Sequence, residues 1–199
     1  MELLFVLEII GTIAFSISGA LVAIKHEMDI FGVLMLGLTT AVGGGMLRDL
    51  VLGINPPSIF ENPIFIVIAL IVSMIVFMPN IRKYIKGMDF LIQLMDALGL
   101  AVFTMIGVEV SFSYNNFALS IFAGVLTGVG GGILRDIFAK QDLYIFVKHF
   151  YACAALIGAI FAFFCLKMNK NFAIVGGIIV IFILRMCAYK YRWNLPKAK

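Results

Sequence analysis

Apolar residues run in long blocks along this chain, and polar residues gather between the blocks. Seven blocks approach the roughly 20 residues that a helix needs to cross a bilayer. They cover 3–24, 31–53, 63–79, 89–109, 117–138, 145–166 and 172–190. The connectors carry helix breakers: Asn55-Pro56-Pro57 after the second block, Pro79-Asn80 at the end of the third, and Asn115-Asn116 before the fifth. The pattern predicts an all-α integral membrane protein with seven transmembrane helices.

Composition agrees. Of 199 residues, 63% are hydrophobic and 13% charged, whereas a soluble domain is about half apolar and about a quarter charged. The first block lacks a basic leader, and its first charges are Glu2 and Glu8, so it reads as a retained helix. Cys153, Cys165 and Cys187 sit in apolar runs without metal-ligand spacing and read as small buried hydrophobes. The placement of charge says more than its net value of +4. Lys25, Arg82, Lys83, Lys86, Lys140, Lys190, Arg192, Lys197 and Lys199 fall on one side of the seven-span topology; Lys167 and Lys170 fall on the other. The positive-inside rule then puts the N-terminus outside and the C-terminus in the cytoplasm. Tyr189, Tyr191 and Trp193 suit an aromatic belt at the inner interface.

The chain repeats itself. Gly43-Gly44-Gly45-Met46-Leu47-Arg48-Asp49 recurs 87 residues later as Gly130-Gly131-Gly132-Ile133-Leu134-Arg135-Asp136. The same shift lays Gly37, Ala41 and Gly45 on Gly124, Gly128 and Gly132, a stripe of small residues that lets helices approach closely. One residue of slip lays Glu8, Gly11, Phe15, Ser16 and Gly19 on Asp96, Gly99, Phe103, Thr104 and Gly107. Each copy holds three spans. Three is odd, so the second copy enters the membrane from the opposite side, as in many transport proteins. The expected organisation is a first three-helix repeat over 1–87, an inverted one over 88–168, and a seventh helix with a short basic tail over 169–199.

Each glycine triplet lies about 12 residues into its span, about 18 Å deep at 1.5 Å per residue, near the bilayer midplane. Glycine weakens helices, so the triplets read as paired helix breaks whose freed backbone groups face a water-filled path. The alternative is that they serve only close packing. Thr39, Thr40 and Thr127 lie near the breaks and are candidates to line the path; Ser16, Ser18 and Thr104 are weaker ones. The buried charges need partners. Glu8 and Arg48 share the outer half, Asp96 and Arg135 the inner half, so the depths predict Glu8–Arg48 and Asp96–Arg135 pairs. Asp49 and Asp136 join these networks or cap the far repeat. Such pairs either border the path or only fix helix register. Glu109 and His149 fall near span ends, and His26 in a loop.

Several classes are excluded. Neither triplet continues into Gly-Lys-Ser/Thr or has dinucleotide-binding spacing. No nucleophile–base–acid set and no zinc spacing is visible, so neither an enzyme nor a cofactor or metal is expected. The basic tail reads as a topology determinant, not a nucleic-acid patch.

Two Gly-Gly-Gly-x-x-Arg-Asp motifs in the second and fifth of seven spans resemble the prokaryotic TRIC family of trimeric intracellular cation channels, also described as putative glycine transporters. The resemblance extends from Glu2 to about Tyr191. It implies a homotrimer in the prokaryotic cell membrane, with a pore in each protomer along second and fifth helices kinked at Gly43, Gly44, Gly45, Gly130, Gly131 and Gly132. Monovalent cations, mainly potassium, would permeate. Animal relatives carry a voltage-related basic residue in the fourth span; here 89–109 has Asp89, Asp96 and Glu109 and no Lys or Arg. A carrier for a small amino acid such as glycine is the second hypothesis, and a structural membrane subunit the third.

Overall fold

The computed structural model describes residues 2–82, 88–142 and 150–193. Lys83, Lys86, His149, Lys197, Lys199 and the start of the sixth block lie outside them. Seven apolar helices account for most of the described chain: α1 Glu2–Lys25, α2 Ile30–Leu52, α3 Ile64–Phe77, α4 Met88–Phe112, α5 Phe117–Phe138, α6 Tyr151–Leu166 and α7 Lys170–Tyr191. Single turns at Ser58–Glu61 and Pro79–Arg82 flank α3. Among the described residues five helices are long and apolar enough to cross a membrane; α3 and the described part of α6 are shorter.

The helix ends follow from local chemistry. Asp29, Asn116 and Asn169 precede α2, α5 and α7, and each side chain accepts a hydrogen bond from the backbone N–H three residues on. Gly53 ends α2 at φ 70°, returning its N–H to the carbonyls of Asp49 and Leu50.

α1, α2, α4 and α5 form the centre. α3 packs against α1 and α2; α6 packs against α4 and α5; α7 lies on α4 and α6. Three contacts fix the direction of the chain. Lys25 at the end of α1 pairs with Asp89 at the start of α4 at 2.7 Å, His26 meets Gln141 beyond α5 at 3.3 Å, and Tyr114 beyond α4 donates to the Leu52 carbonyl at the end of α2 at 3.2 Å. α2 and α5 are therefore antiparallel, and Arg48 and Arg135 lie at opposite ends of the bundle.

One expectation fails here. α2 and α5 run as uninterrupted α-helix through both glycine triplets, and Gly53 is the one glycine with positive φ among the described residues. Intrahelical hydrogen bonds are worth more in lipid than the helical penalty of glycine costs, because lipid offers a freed backbone group no partner.

Candidate functional site

The triplets meet where α2 crosses α5. A Cβ on Gly44 would stand 2.1 Å from the Thr127 carbonyl oxygen, and one on Gly131 would stand 2.1 Å from the Thr40 carbonyl oxygen. Thr40 lies one turn before Gly44, and Thr127 one turn before Gly131. Each glycine thus admits the partner helix's backbone at the level of the other motif's threonine. Gly130 faces the Gly44 Cα, and Gly43 faces the side chain of Leu134. The Thr40 and Thr127 hydroxyls donate to carbonyls of their own helices, Leu36 at 2.6 Å and Ala123 at 2.5 Å. Both threonines are fully buried, and Thr39 is half-buried. Below the crossing, Phe15 and Phe103 stack with centroids 5.2 Å apart, and Gly99 gives Phe15 its room.

At the α5 end the predicted Asp96–Arg135 pair is made. Arg135 Nη1 donates to Asp96 Oδ1 at 2.8 Å and to the Ser18 hydroxyl at 2.7 Å, while its Nε donates to Asp136 at 2.9 Å. The Tyr151 hydroxyl donates to Asp96 Oδ1 at 3.2 Å, and Gln141 donates to Asp136 at 2.7 Å. Arg185 of α7 sits 3.8 Å from Asp96 Oδ2, stacks over the Tyr151 ring at 4.5 Å and donates to Gln93 at 3.3 Å. Asp96, Arg135, Asp136 and Arg185 are each at most 2% exposed. Gly132 borders this cluster: a Cβ there would lie 2.9 Å from the Tyr151 hydroxyl. Arg185, Tyr151, Gln93 and Gln141 were not singled out from the sequence. An arginine inside the seventh apolar block was the available signal for Arg185.

At the α2 end the predicted Glu8–Arg48 pair is not made. Arg48 instead binds Asp49, with Nη2 2.6 Å and Nε 2.8 Å from Oδ1, and donates to the Ser58 hydroxyl at 3.0 Å. Asp49 Oδ2 accepts from the Ser58 N–H at 2.8 Å and hydroxyl at 2.6 Å, tying the turn after α2 back to the helix. Asp49 thus occupies the guanidinium before Glu8 reaches it. Glu8 is half-buried and lines a cavity of about 90 Å³ together with Thr12, Ala41, Val42, Gly45, Arg48, Ser58, Asn62, Phe65 and Phe103. Gly45 keeps this cavity open, since a Cβ there would meet only Arg48 Nη2, at 3.9 Å.

Two charged clusters stand at opposite ends of the bundle, separated by a close crossing of two glycine-bearing helices. With five described helices long and apolar enough to cross a bilayer, this is a multi-pass, all-α membrane protein.

Comparison with known proteins narrows the class. A family model described as Glycine transporter matches residues 5–80 and 93–167. The chain is 40% identical to the UPF0126 inner membrane protein YadS of Escherichia coli strain K12, over 98% of this chain and 95% of that one. It is 35% identical to the UPF0126 membrane protein YvgT of Bacillus subtilis strain 168, over 96% and 94%. Its structure resembles that of a prokaryotic TRIC channel crystallised in 0.5 M KCl, with TM-score 0.91, 32% identity, and 98% of this chain and 99% of that chain covered. It also resembles the TRIC trimeric intracellular cation channel orthologue from Rhodobacter sphaeroides, with TM-score 0.90, 31% identity, and 96% and 99% covered. The chain belongs to the prokaryotic TRIC family, and the Glycine transporter model matches it over most of its length.

Proposed function

We propose that this protein is a membrane cation channel that passes monovalent cations, mainly potassium, along the α2–α5 crossing of each protomer of a homotrimer. The observation that carries the reading is that crossing: Gly44 and Gly131 in reciprocal contact between a charged cluster at either end. The likeness to structures described as cation channels supports it over nearly the whole chain. Gly43, Gly44, Gly45, Gly130, Gly131 and Gly132 form the constriction, with Thr39, Thr40 and Thr127 beside it. Because α2 and α5 are unbroken and touch at the triplets, conduction requires them to separate there, so this conformation is closed. Glu8, Arg48, Asp49, Asp96, Arg135 and Asp136 hold the two mouths in shape.

The reading includes two inverted three-helix repeats, 1–87 and 88–168, followed by the seventh helix. The antiparallel α2–α5 crossing and the equivalent positions of α3 and α6 support it. It also includes the plasma membrane of a prokaryote, with seven spans and an outer N-terminus, supported by the bacterial inner-membrane relative and the basic loops.

A second reading, a carrier for glycine, has one structural observation in its favour. Glu8 and Arg48 face one small cavity without pairing, which suits the two charges of a zwitterion. Purified protein in liposomes separates the two. Potassium current at channel rates without glycine dependence establishes the channel. Saturable uptake of labelled glycine without ohmic current overturns it.

A further inference from the structure

The geometry points to a binding site for one small monovalent cation in the cavity at the α2 end, held between the Glu8 carboxylate and the Thr12 hydroxyl. This rests on the cation-channel reading for its purpose but not for its chemistry, which comes from three observations.

The first is charge. The α5-end cluster sets Arg135 and Arg185 against Asp96 and Asp136, two arginines to two carboxylates. The α2-end cluster sets Arg48 alone against Asp49 and Glu8, one arginine to two carboxylates. Arg48 directs its Nε and Nη2 donors to Asp49 and Ser58. Glu8 makes no ion pair within 4 Å among the described residues and lines the cavity.

The second is Thr12. It is 1% exposed, lines the cavity, and lies one turn along α1 from Glu8. Its hydroxyl makes no hydrogen bond among the described residues. Every other buried span hydroxyl does. Ser16, Thr40, Ser73, Thr104, Ser111 and Thr127 bond to their own helices; Ser18 accepts from Arg135, and Ser120 donates to the Ser111 carbonyl. A buried hydroxyl without a protein partner beside an unpaired carboxylate is a pair of oxygen ligands for a cation.

The third is size. At about 90 Å³ the cavity has room for an ion together with a few waters. A cation entering it exchanges part of its hydration shell for the Glu8 and Thr12 oxygens. An alkali ion, or the ammonium group of a small amino acid with its carboxylate turned to Arg48, matches one carboxylate and one hydroxyl in charge and donor type.

Anomalous diffraction from crystals of the full chain grown with thallous ion tests the site. The expected result is a peak in contact with both the Glu8 carboxylate and Thr12 Oγ1, lost in Glu8→Gln and in Thr12→Val while thermal melting stays cooperative. In liposomes the potassium concentration for half-maximal current should rise several-fold in both variants. No peak at Glu8 in the wild type, or a peak unchanged in both variants, overturns the proposal. A protein that shows the peak but carries no current keeps the site and loses the channel reading. Crystals grown with added glycine identify the source of the charge. Thallium displaced by an ordered glycine, with its amino group on Glu8, assigns the site to an ammonium. Thallium retained assigns it to an alkali ion.

Discussion

The two ends of the bundle carry the same seven-residue motif and use it differently. At the α5 end, Arg135 is enclosed by Asp96, Asp136, Ser18 and Tyr151, and Arg185 brings the cluster to neutrality. At the α2 end, Arg48 has Asp49 and Ser58, and beyond it a cavity opens onto Glu8. The difference traces to α7. It packs on α4 and α6 and carries Arg185 onto Asp96, and among the described residues no second arginine joins Arg48 at the Glu8 end. A repeat with an added helix has one locked end and one open end, even where its motifs differ only at Met46 and Ile133.

Substitution at the paired arginines should separate the ends most strongly. Arg135→Met leaves two buried carboxylates facing Arg185 alone. Breaking one side of a buried ion-pair network costs about 3–5 kcal/mol, so a large fall in melting temperature or loss of extractable protein is expected. Arg48→Met removes about 1.5–3 kcal/mol, the range for a charged hydrogen bond, because Asp49 keeps the Ser58 N–H and hydroxyl as donors and Ser58 borders the cavity. Equal losses in the two variants would break the comparison.

The crossing comes next. Gly44→Ala and Gly131→Ala each drive a methyl group against a backbone carbonyl, and overpacking of this kind costs about 1–3 kcal/mol. Gly45→Ala meets only the end of Arg48 and should be neutral or stabilising by up to about 1 kcal/mol, since alanine favours the helix. Thermal melts of the three variants in detergent check the contrast; a loss at Gly45 matching that at Gly44 would contradict the geometry.

Tyr151→Phe sharpens the account of the locked end. It keeps the ring under Arg185 and deletes the hydroxyl bond to Asp96, for an expected loss of about 0.5–1.5 kcal/mol. The smallest effect belongs to the exposed Lys25–Asp89 pair at 2.7 Å, with both side chains more than half exposed. Lys25→Ala should change stability by about 0–1 kcal/mol, and by less in high salt; a larger shift in melting temperature would mean that this pair anchors α4 to α1.

Much of the fold was legible in the sequence because a bilayer imposes one dominant rule. A segment that crosses it must be apolar for a fixed length and must satisfy its own backbone. Five of the seven expected blocks therefore match long helices within a few residues, and the capping residues Asn116 and Asn169 stand where the fifth and seventh blocks begin. The Asp96–Arg135 pair was legible from depth. The Glu8–Arg48 pair was argued in the same way and is not formed, because Asp49 and the turn at Ser58 lie nearer to Arg48 and no one-dimensional comparison measures that competition.

The sequence by itself determined that the chain is helical, that it belongs in a membrane, that it carries one motif twice, and that the motif copies lie equally far into their apolar blocks. These follow from hydrophobicity and spacing, which are properties of the chain taken alone. Only the tertiary structure decided what the motifs do. It kept the glycine helices whole, since an intact helix in lipid outweighs glycine's weak propensity, and used the missing side chains for a backbone-to-backbone contact. It also brought Arg185, from beyond the repeat, onto Asp96, and left Glu8 and Thr12 facing a cavity. Those outcomes depend on which surfaces come within about 4 Å of one another, the range over which packing acts.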